Sequence, residues 1–139
     1  MGDVSKYKAK AESKSATLTE VKARGFNIMI DQPETWGGEN QAATPVEYIL
    51  AALAGCLNIT GHLIAKKMEI AIDKLEFELE GELDYSDKDR SGFQEIRVKV
   101  KVDSSEDREK LEKWLEVVEK HCPVSGTISQ QTPLKLNLQ

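Results

Sequence analysis

Thr44-Pro45-Val46-Glu47-Tyr48-Ile49-Leu50-Ala51-Ala52-Leu53-Ala54-Gly55-Cys56-Leu57-Asn58-Ile59-Thr60 is the stretch whose reading decides the fold. It opens on a strong helix-start signal. Thr44 can cap, Pro45 suits the first helical position because its missing N–H would be unpaired there, and Glu47 completes a capping box. No Lys, Arg, Asp or Glu follows from Tyr48 to Ala65, and Lys66-Lys67 then place cations where the helix dipole favours them. A run of that length reaches what a membrane span needs, about 20 residues. Asn58, Thr60, Gly61 and His62 interrupt its apolarity, and amphipathic segments flank it. It is therefore expected to be a long core helix with a cysteine at its centre.

Outward from this helix the chain alternates with period two. Residues 6–13 give a weak strand signal and residues 17–23 a β-prone one, leading to a turn at Arg24-Gly25. Phe26, Ile28 and Ile30 mark one face of a clearer strand. The loop from Asp31 to Ala43 carries Pro33 and Gly37-Gly38 and, at about a dozen residues, is long for a connector. After the helix, Leu75, Phe77, Leu79, Leu83 and Tyr85 alternate with Glu76, Glu78, Glu80, Glu82 and Asp84. Beyond a polar turn, Ile96, Val98, Val100 and Val102 alternate with Arg97, Lys99, Lys101 and Asp103. The acidic outer face of the first strand matches the basic outer face of the second, so the two are expected to form a hairpin.

Ser104 or Ser105 is then expected to cap a helix with Leu111, Trp114, Leu115 and Val118 on its apolar face. One more turn brings Cys122 to the same face. Pro123 is expected to end this helix or open a new turn, with Gly126 as a further break. Leu134, Leu136 and Leu138 predict a last short strand.

Runs of strands broken by isolated helices predict an α+β fold. At 139 residues the chain has the length of a single domain, 1–139. The central helix is apolar almost all round, more than one small sheet can cover. Small residues four apart, at Ala51/Gly55 and Gly61/Ala65, would permit close approach of another helix. A two-fold homodimer with this helix buried between subunits is expected.

The bulk charge excludes some functions. Twenty-four acidic and 19 basic residues give a net charge of −5 without long single-sign blocks, which argues against nucleic acid and against an anionic lipid surface. Two cysteines cannot make a disulfide framework, and the opening Met1-Gly2-Asp3-Val4-Ser5-Lys6 is polar. A cytoplasmic protein with reduced thiols is expected.

Chemistry therefore turns on Cys56 and Cys122. Each could be an inert small hydrophobe. Cys56 has small neighbours that leave room beside it, and proline after Cys122 puts that thiol at a helix cap, where the dipole favours a thiolate. Cys56, His62, His121 and Cys122 are ligand types that suit zinc, but six residues along a helix turn His62 off the face of Cys56. No metal or cofactor is expected. Protease-like chemistry would need a positioned histidine, whereas His62 and His121 read as surface or packing residues. Thiol–disulfide redox work is the remaining use of the pair.

The Thr44–Thr60 stretch, preceded by Asp31-Gln32-Pro33 and Trp36-Gly37-Gly38, resembles the OsmC/Ohr family. Lys120-His121-Cys122-Pro123-Val124, followed by Ile128, is similar to that family's second cysteine motif. The resemblance spans nearly the whole chain. It implies an intertwined homodimer with antiparallel sheets wrapped around the central helix, and a thiol-dependent peroxidase acting on organic hydroperoxides in oxidative-stress protection. Cys56 would be the attacking thiol and Cys122 the resolving one, with an external dithiol as reductant. The peroxidase branches place a glutamate directly after the helix-opening proline. Val46 stands there in this chain and the acid is Glu47. Their N-terminal arginine is matched by Ser13-Lys14-Ser15, and the first arginine is Arg24. Glu47 and Arg24 are the corresponding candidates for the site. The alternative expectation is a non-catalytic dimer that binds a small molecule or senses redox state through the same cysteines.

Overall fold

The computed structural model describes residues 2–139 and is α+β, with two antiparallel sheets and three α-helices. Contacts group the chain into an N-terminal unit ending at Ile49 and a C-terminal unit from Leu50 to Gln139.

The N-terminal unit is a three-stranded meander of β1 (Lys10–Ser13), β2 (Thr19–Ala23) and β3 (Phe26–Ile30). Arg24 and Gly25 make a two-residue turn between Ala23 and Phe26, with Arg24 in the left-handed region at φ 57°. Phe26 does not join a buried face as the alternation suggested. It is 62% exposed, with the Arg24 guanidinium 4.9 Å from its ring centroid.

The loop after β3 is organised by Asp31, which is completely buried. Its carboxylate accepts backbone N–H bonds from Gln32 at 2.7 Å and Gln41 at 3.0 Å, and the Asp31 N–H closes the loop on the Ala43 carbonyl. Gly38 lies so close to the Gln32 backbone that a Cβ there would fall 2.0 Å from the Gln32 carbonyl oxygen, so only glycine fits. Burial pushes the Asp31 pKa up, but the Thr17 hydroxyl and the N–H groups of Gln32, Gln41 and Glu39 outweigh it and hold the carboxyl below its usual range. A depressed carboxylate stabilises the fold above its unfolded value of about 3.9, and that contribution fades as pH falls through the lower native value. Asp31→Asn is therefore expected to lower the melting temperature by several degrees at neutral pH. The difference from wild type should shrink steadily toward pH 2, as thermal melts across that range would read.

The capping box at the start of α1 (Pro45–Lys67) forms as its residues require. The Thr44 N–H donates to Glu47 Oε1 at 2.9 Å and the Glu47 N–H donates to Thr44 Oγ1 at 3.3 Å. These bonds hold the Glu47 carboxyl below the ordinary glutamate value. Tyr48 Oη donates to the Met29 carbonyl at 2.6 Å, which ties the first turn of α1 to β3.

The C-terminal unit contains the core. β4 (Lys74–Leu83) and β5 (Phe93–Asp103) pair with Leu75 opposite Val102, Phe77 opposite Val100 and Leu79 opposite Val98. On the other face Glu76 meets Lys101, Glu78 meets Lys99 and Glu80 meets Arg97, as the charge pattern predicted. After a register shift at Glu82/Leu83 the pairing ends with Leu83 opposite Phe93, and Tyr85 lies beyond the strand, 73% exposed instead of inward. α2 (Arg108–His121) is capped by Asp107, which accepts the Lys110 N–H at 2.8 Å, and not by Ser104 or Ser105. Ser104 has another partner, donating to the Ala71 carbonyl at 2.6 Å.

Leu53, Leu57, Ile64 and Ala65 on α1 pack with Ile70, Trp114, Val118 and Cys122 under the hairpin's apolar face. Gly61 lets this happen. The Trp114 ring lies over it, and Trp114 Nε1 donates to its carbonyl at 2.9 Å. α1 is long and apolar enough, by length and composition, to cross a membrane, with a mean hydropathy of 1.6. One side of it is core, whereas Ile59 and Leu63 on the other side are 64% and 56% exposed.

Pro123 both ends α2 and opens α3 (Pro123–Ser129), and Gly126 lies inside α3 rather than breaking it. The expected last strand is not formed. Residues 130–139 run without paired structure, and Leu134, Leu136 and Leu138 are at least 84% exposed.

Candidate active site: two thiols beside an apolar cleft

Cys56 sits near the middle of α1, on the side between the buried stripe and the exposed one. Ideal helix geometry puts Ala52, Cys56, Ile59, Leu63 and Lys67 on a common face. These residues, with Gly55, Thr60, Ile64, His121 and Pro123, line an open and largely apolar cleft of about 640 Å³. Gly55 widens it, since a Cβ there would meet nothing within 4 Å. Cys56 is half-buried at this wall, and the Thr60 hydroxyl lies 4.0 Å from its sulfur.

Cys122 reaches the same place from the other side of the core. The apolar face of α2 continues through Trp114 and Val118 to Cys122, which is 2% exposed. It closes α2 and serves as the N-cap of α3, where its Sγ accepts the Ser125 N–H at 3.4 Å. Both cysteines are free thiols, and the Cys122 thiol donates to Cys56 Sγ across 2.8 Å. Residues 66 apart in sequence thus have their sulfurs in contact.

The environment gives the two thiols different parts. Burial pushes the Cys122 thiol up, and its bond to Cys56 and the charge Cys56 would carry push the same way. The Ser125 and Val124 N–H groups pull down, as the cap position suggested, but do not win. The dipole argument alone pointed to Cys122 as the more acidic thiol. Desolvation outweighs the dipole at Cys122, and its thiol donates to Cys56, the thiol open to the cleft.

The other two candidates lie in the N-terminal unit. Glu47 is engaged with Thr44 in the capping box, and Arg24 occupies the β2–β3 turn. Two residues of the cleft carry polar chemistry that the sequence reading set aside. Lys67 read as a dipole-matching cation and His121 as a surface or packing residue. The signal for His121 was its position next to Cys122.

Comparison with known proteins agrees with this architecture. Residues 38–137 match the OsmC-like protein family. A hydroperoxide reductase of Mycoplasma pneumoniae is 27% identical over 95 residues, covering 68% of this chain and 67% of that protein. A hydroperoxide reductase of Mycoplasma genitalium is 24% identical over 115 residues, covering 81% and 79%. Among solved structures, an OsmC-like protein from Mycoplasma pneumoniae superposes with a TM-score of 0.83 at 24% identity, covering 90% of this chain and 88% of that one. An organic hydroperoxide resistance protein from Legionella pneumophila does so at 0.67 and 21% identity, with 91% of each covered. At these identities the structural likeness carries the fold. Together with the family match over most of its length, it establishes that this chain belongs to the OsmC-like protein family.

Proposed function

We propose that the protein is a thiol peroxidase that reduces organic hydroperoxides through a sulfenate–disulfide cycle of Cys56 and Cys122. The observation that carries this reading is the meeting of the two free sulfurs at the wall of an apolar cleft, one half-buried and one fully buried. The relatives described as hydroperoxide reductases support it.

In the first step the Cys56 thiolate attacks the terminal oxygen of the hydroperoxide. An S–O bond forms, the O–O bond breaks, and the alkoxide leaves and takes up a proton to become the alcohol. Sulfur gives up two electrons and becomes a sulfenic acid. Cys122 then attacks the oxidised sulfur, water departs, and an intrachain disulfide remains. Once Cys56 is a neutral sulfenic acid its charge no longer opposes ionisation of Cys122, while the Ser125 and Val124 N–H groups still favour it. An external dithiol restores the pair by exchange. The apolar lining suits peroxides with a hydrocarbon body, whose burial contributes binding at roughly 25 cal/mol per Å².

Glu47 and Arg24 belong to the proposal as accessory groups of the N-terminal unit, on the strength of the family resemblance. A homodimer belongs to it as well. The exposed apolar face of α1 at Ile59 and Leu63, and the unpaired Leu134, Leu136 and Leu138, are surfaces that a second copy would cover. The same cleft would serve a non-catalytic binding protein. Turnover separates the two readings. The protein should consume cumene hydroperoxide continuously with dithiothreitol present. Stabilisation by cumyl alcohol without any consumption of peroxide would favour the binding reading instead.

A further inference from the structure

The proposed peroxide step leaves a proton without a stated source: the alkoxide that departs from Cys56 must be protonated inside a cleft lined mainly by hydrocarbon. Two residues of the lining carry nitrogen, Lys67 and His121. Lys67 is eleven residues along α1 from Cys56, about 16 Å on the helix axis at 1.5 Å per residue. His121 directly precedes Cys122, whose sulfur touches that of Cys56. His121 thus lines the cleft and is joined through the backbone to the thiol that meets Cys56.

Its orientation is set. His121 Nδ1 lies 2.9 Å from the Val117 carbonyl, one turn back on α2. A carbonyl only accepts, so Nδ1 carries a hydrogen and the bond uses that nitrogen. Nε2 is then the ring nitrogen left to exchange a proton. This is the arrangement of an acid–base histidine, with one nitrogen fixed by a backbone acceptor and the other left for chemistry. The ring is exposed, so water can restore its proton after each turnover. The titratable groups that share the cleft lining with it are Lys67 and Cys56 on α1, and no carboxylate lines the cleft.

We propose that His121 is the general acid of the peroxide step, and this rests on the peroxidase reading above. As the Cys56 thiolate takes the terminal oxygen and the O–O bond breaks, Nε2–H of the imidazolium passes its proton to the departing alkoxide. The products are Cys56 sulfenic acid, the alcohol and neutral imidazole, which solvent reprotonates. The electron pair of the broken O–O bond leaves with the alkoxide oxygen, so charge and electrons balance.

Leaving-group dependence tests the role. tert-Butoxide is a strongly basic leaving group and needs the proton, whereas benzoate, released from peroxybenzoic acid, does not. Single-turnover oxidation of Cys56, read by mass spectrometry of the full chain, is compared for wild type, His121→Gln and His121→Ala, with thermal melts confirming the fold. Both variants should lose about 100-fold or more with tert-butyl hydroperoxide, within the usual range for general acid catalysis, and less than about 3-fold with peroxybenzoic acid. Added imidazole should restore much of the His121→Ala rate with tert-butyl hydroperoxide. Equal losses with both peroxides, or no loss with either, would overturn the assignment of His121 and leave the peroxidase reading standing. A wild-type protein whose Cys56 reacts with neither peroxide would overturn that reading and the His121 role with it.

Discussion

Cys56→Ser is expected to lower hydroperoxide consumption by at least about 10³-fold, the scale on which loss of a covalent nucleophile acts. A serine hydroxyl in an apolar wall does not attack peroxide oxygen, and no other thiol faces the cleft. The fold should persist, because Cys56 is only half-buried and its side chain contacts just the Thr60 hydroxyl and Cys122 through polar atoms. Cys122→Ser should behave differently. Serine is a good N-cap for α3 and can accept the Ser125 N–H as Cys122 does. That variant should consume one equivalent of peroxide and stop at the Cys56 sulfenic acid, which a dimedone adduct would reveal. Coupled consumption assays on the two variants decide it. Steady turnover by Cys56→Ser would refute the assigned nucleophile.

The largest expected effect on stability is at Trp114. Its ring is 1% exposed, packs on Gly61 of α1 and donates from Nε1 to the Gly61 carbonyl. A Cβ at Gly61 would already fall 3.2 Å from the Trp114 ring and 3.5 Å from Leu75, so the space between α1, α2 and the hairpin is filled. Trp114→Ala removes the ring and leaves a cavity, and should cost about 3–5 kcal/mol in urea unfolding. Trp114→Phe keeps most of the packing and loses the indole hydrogen bond, which should cost about 1 kcal/mol. Similar small losses in both variants would show that Trp114 does not link the two helices. Because the same helices carry Cys56 and Cys122, the alanine variant should also lose the close approach of the thiols.

The parts of this structure that were legible in the sequence are those governed by near neighbours. Thr44 and Glu47 form their capping box because each lies three residues from its partner. The β4–β5 register follows from matched charge and apolar alternation on both strands. Helical spacing from Leu111 through Val118 was enough to bring Cys122 inward. The misreadings depend on distant partners. Ser104 does not cap α2 because its hydroxyl bonds Ala71, on a segment that sequence spacing does not place nearby. Tyr85 looked inward because alternation in the sequence continues past Leu83, where the strand ends just after a register shift. Leu134, Leu136 and Leu138 have the right period for a strand, but alternation does not supply a partner strand, and the three side chains stay exposed.

The site divided along the same line. Helix arithmetic could bring each cysteine to the core, but only the packing of α1 against α2 brings their sulfurs together. The cap alone suggested a lowered Cys122 thiol, whereas burial raises it, since a cap is a local feature and desolvation is set by the whole core. His121 is exposed, as a surface residue should be, and its place in the cleft was hidden because most of that cleft is made by another helix.

The central claim is that Cys56 and Cys122 work as one redox pair. The most direct measurement is to treat the reduced protein with one equivalent of cumene hydroperoxide, block remaining thiols, digest it without reductant and weigh the peptides. The account predicts one dominant cross-linked species joining the Cys56 and Cys122 peptides, formed within the chain and reversed by dithiothreitol. Recovery of both cysteines as blocked free thiols with the peroxide unconsumed would contradict it.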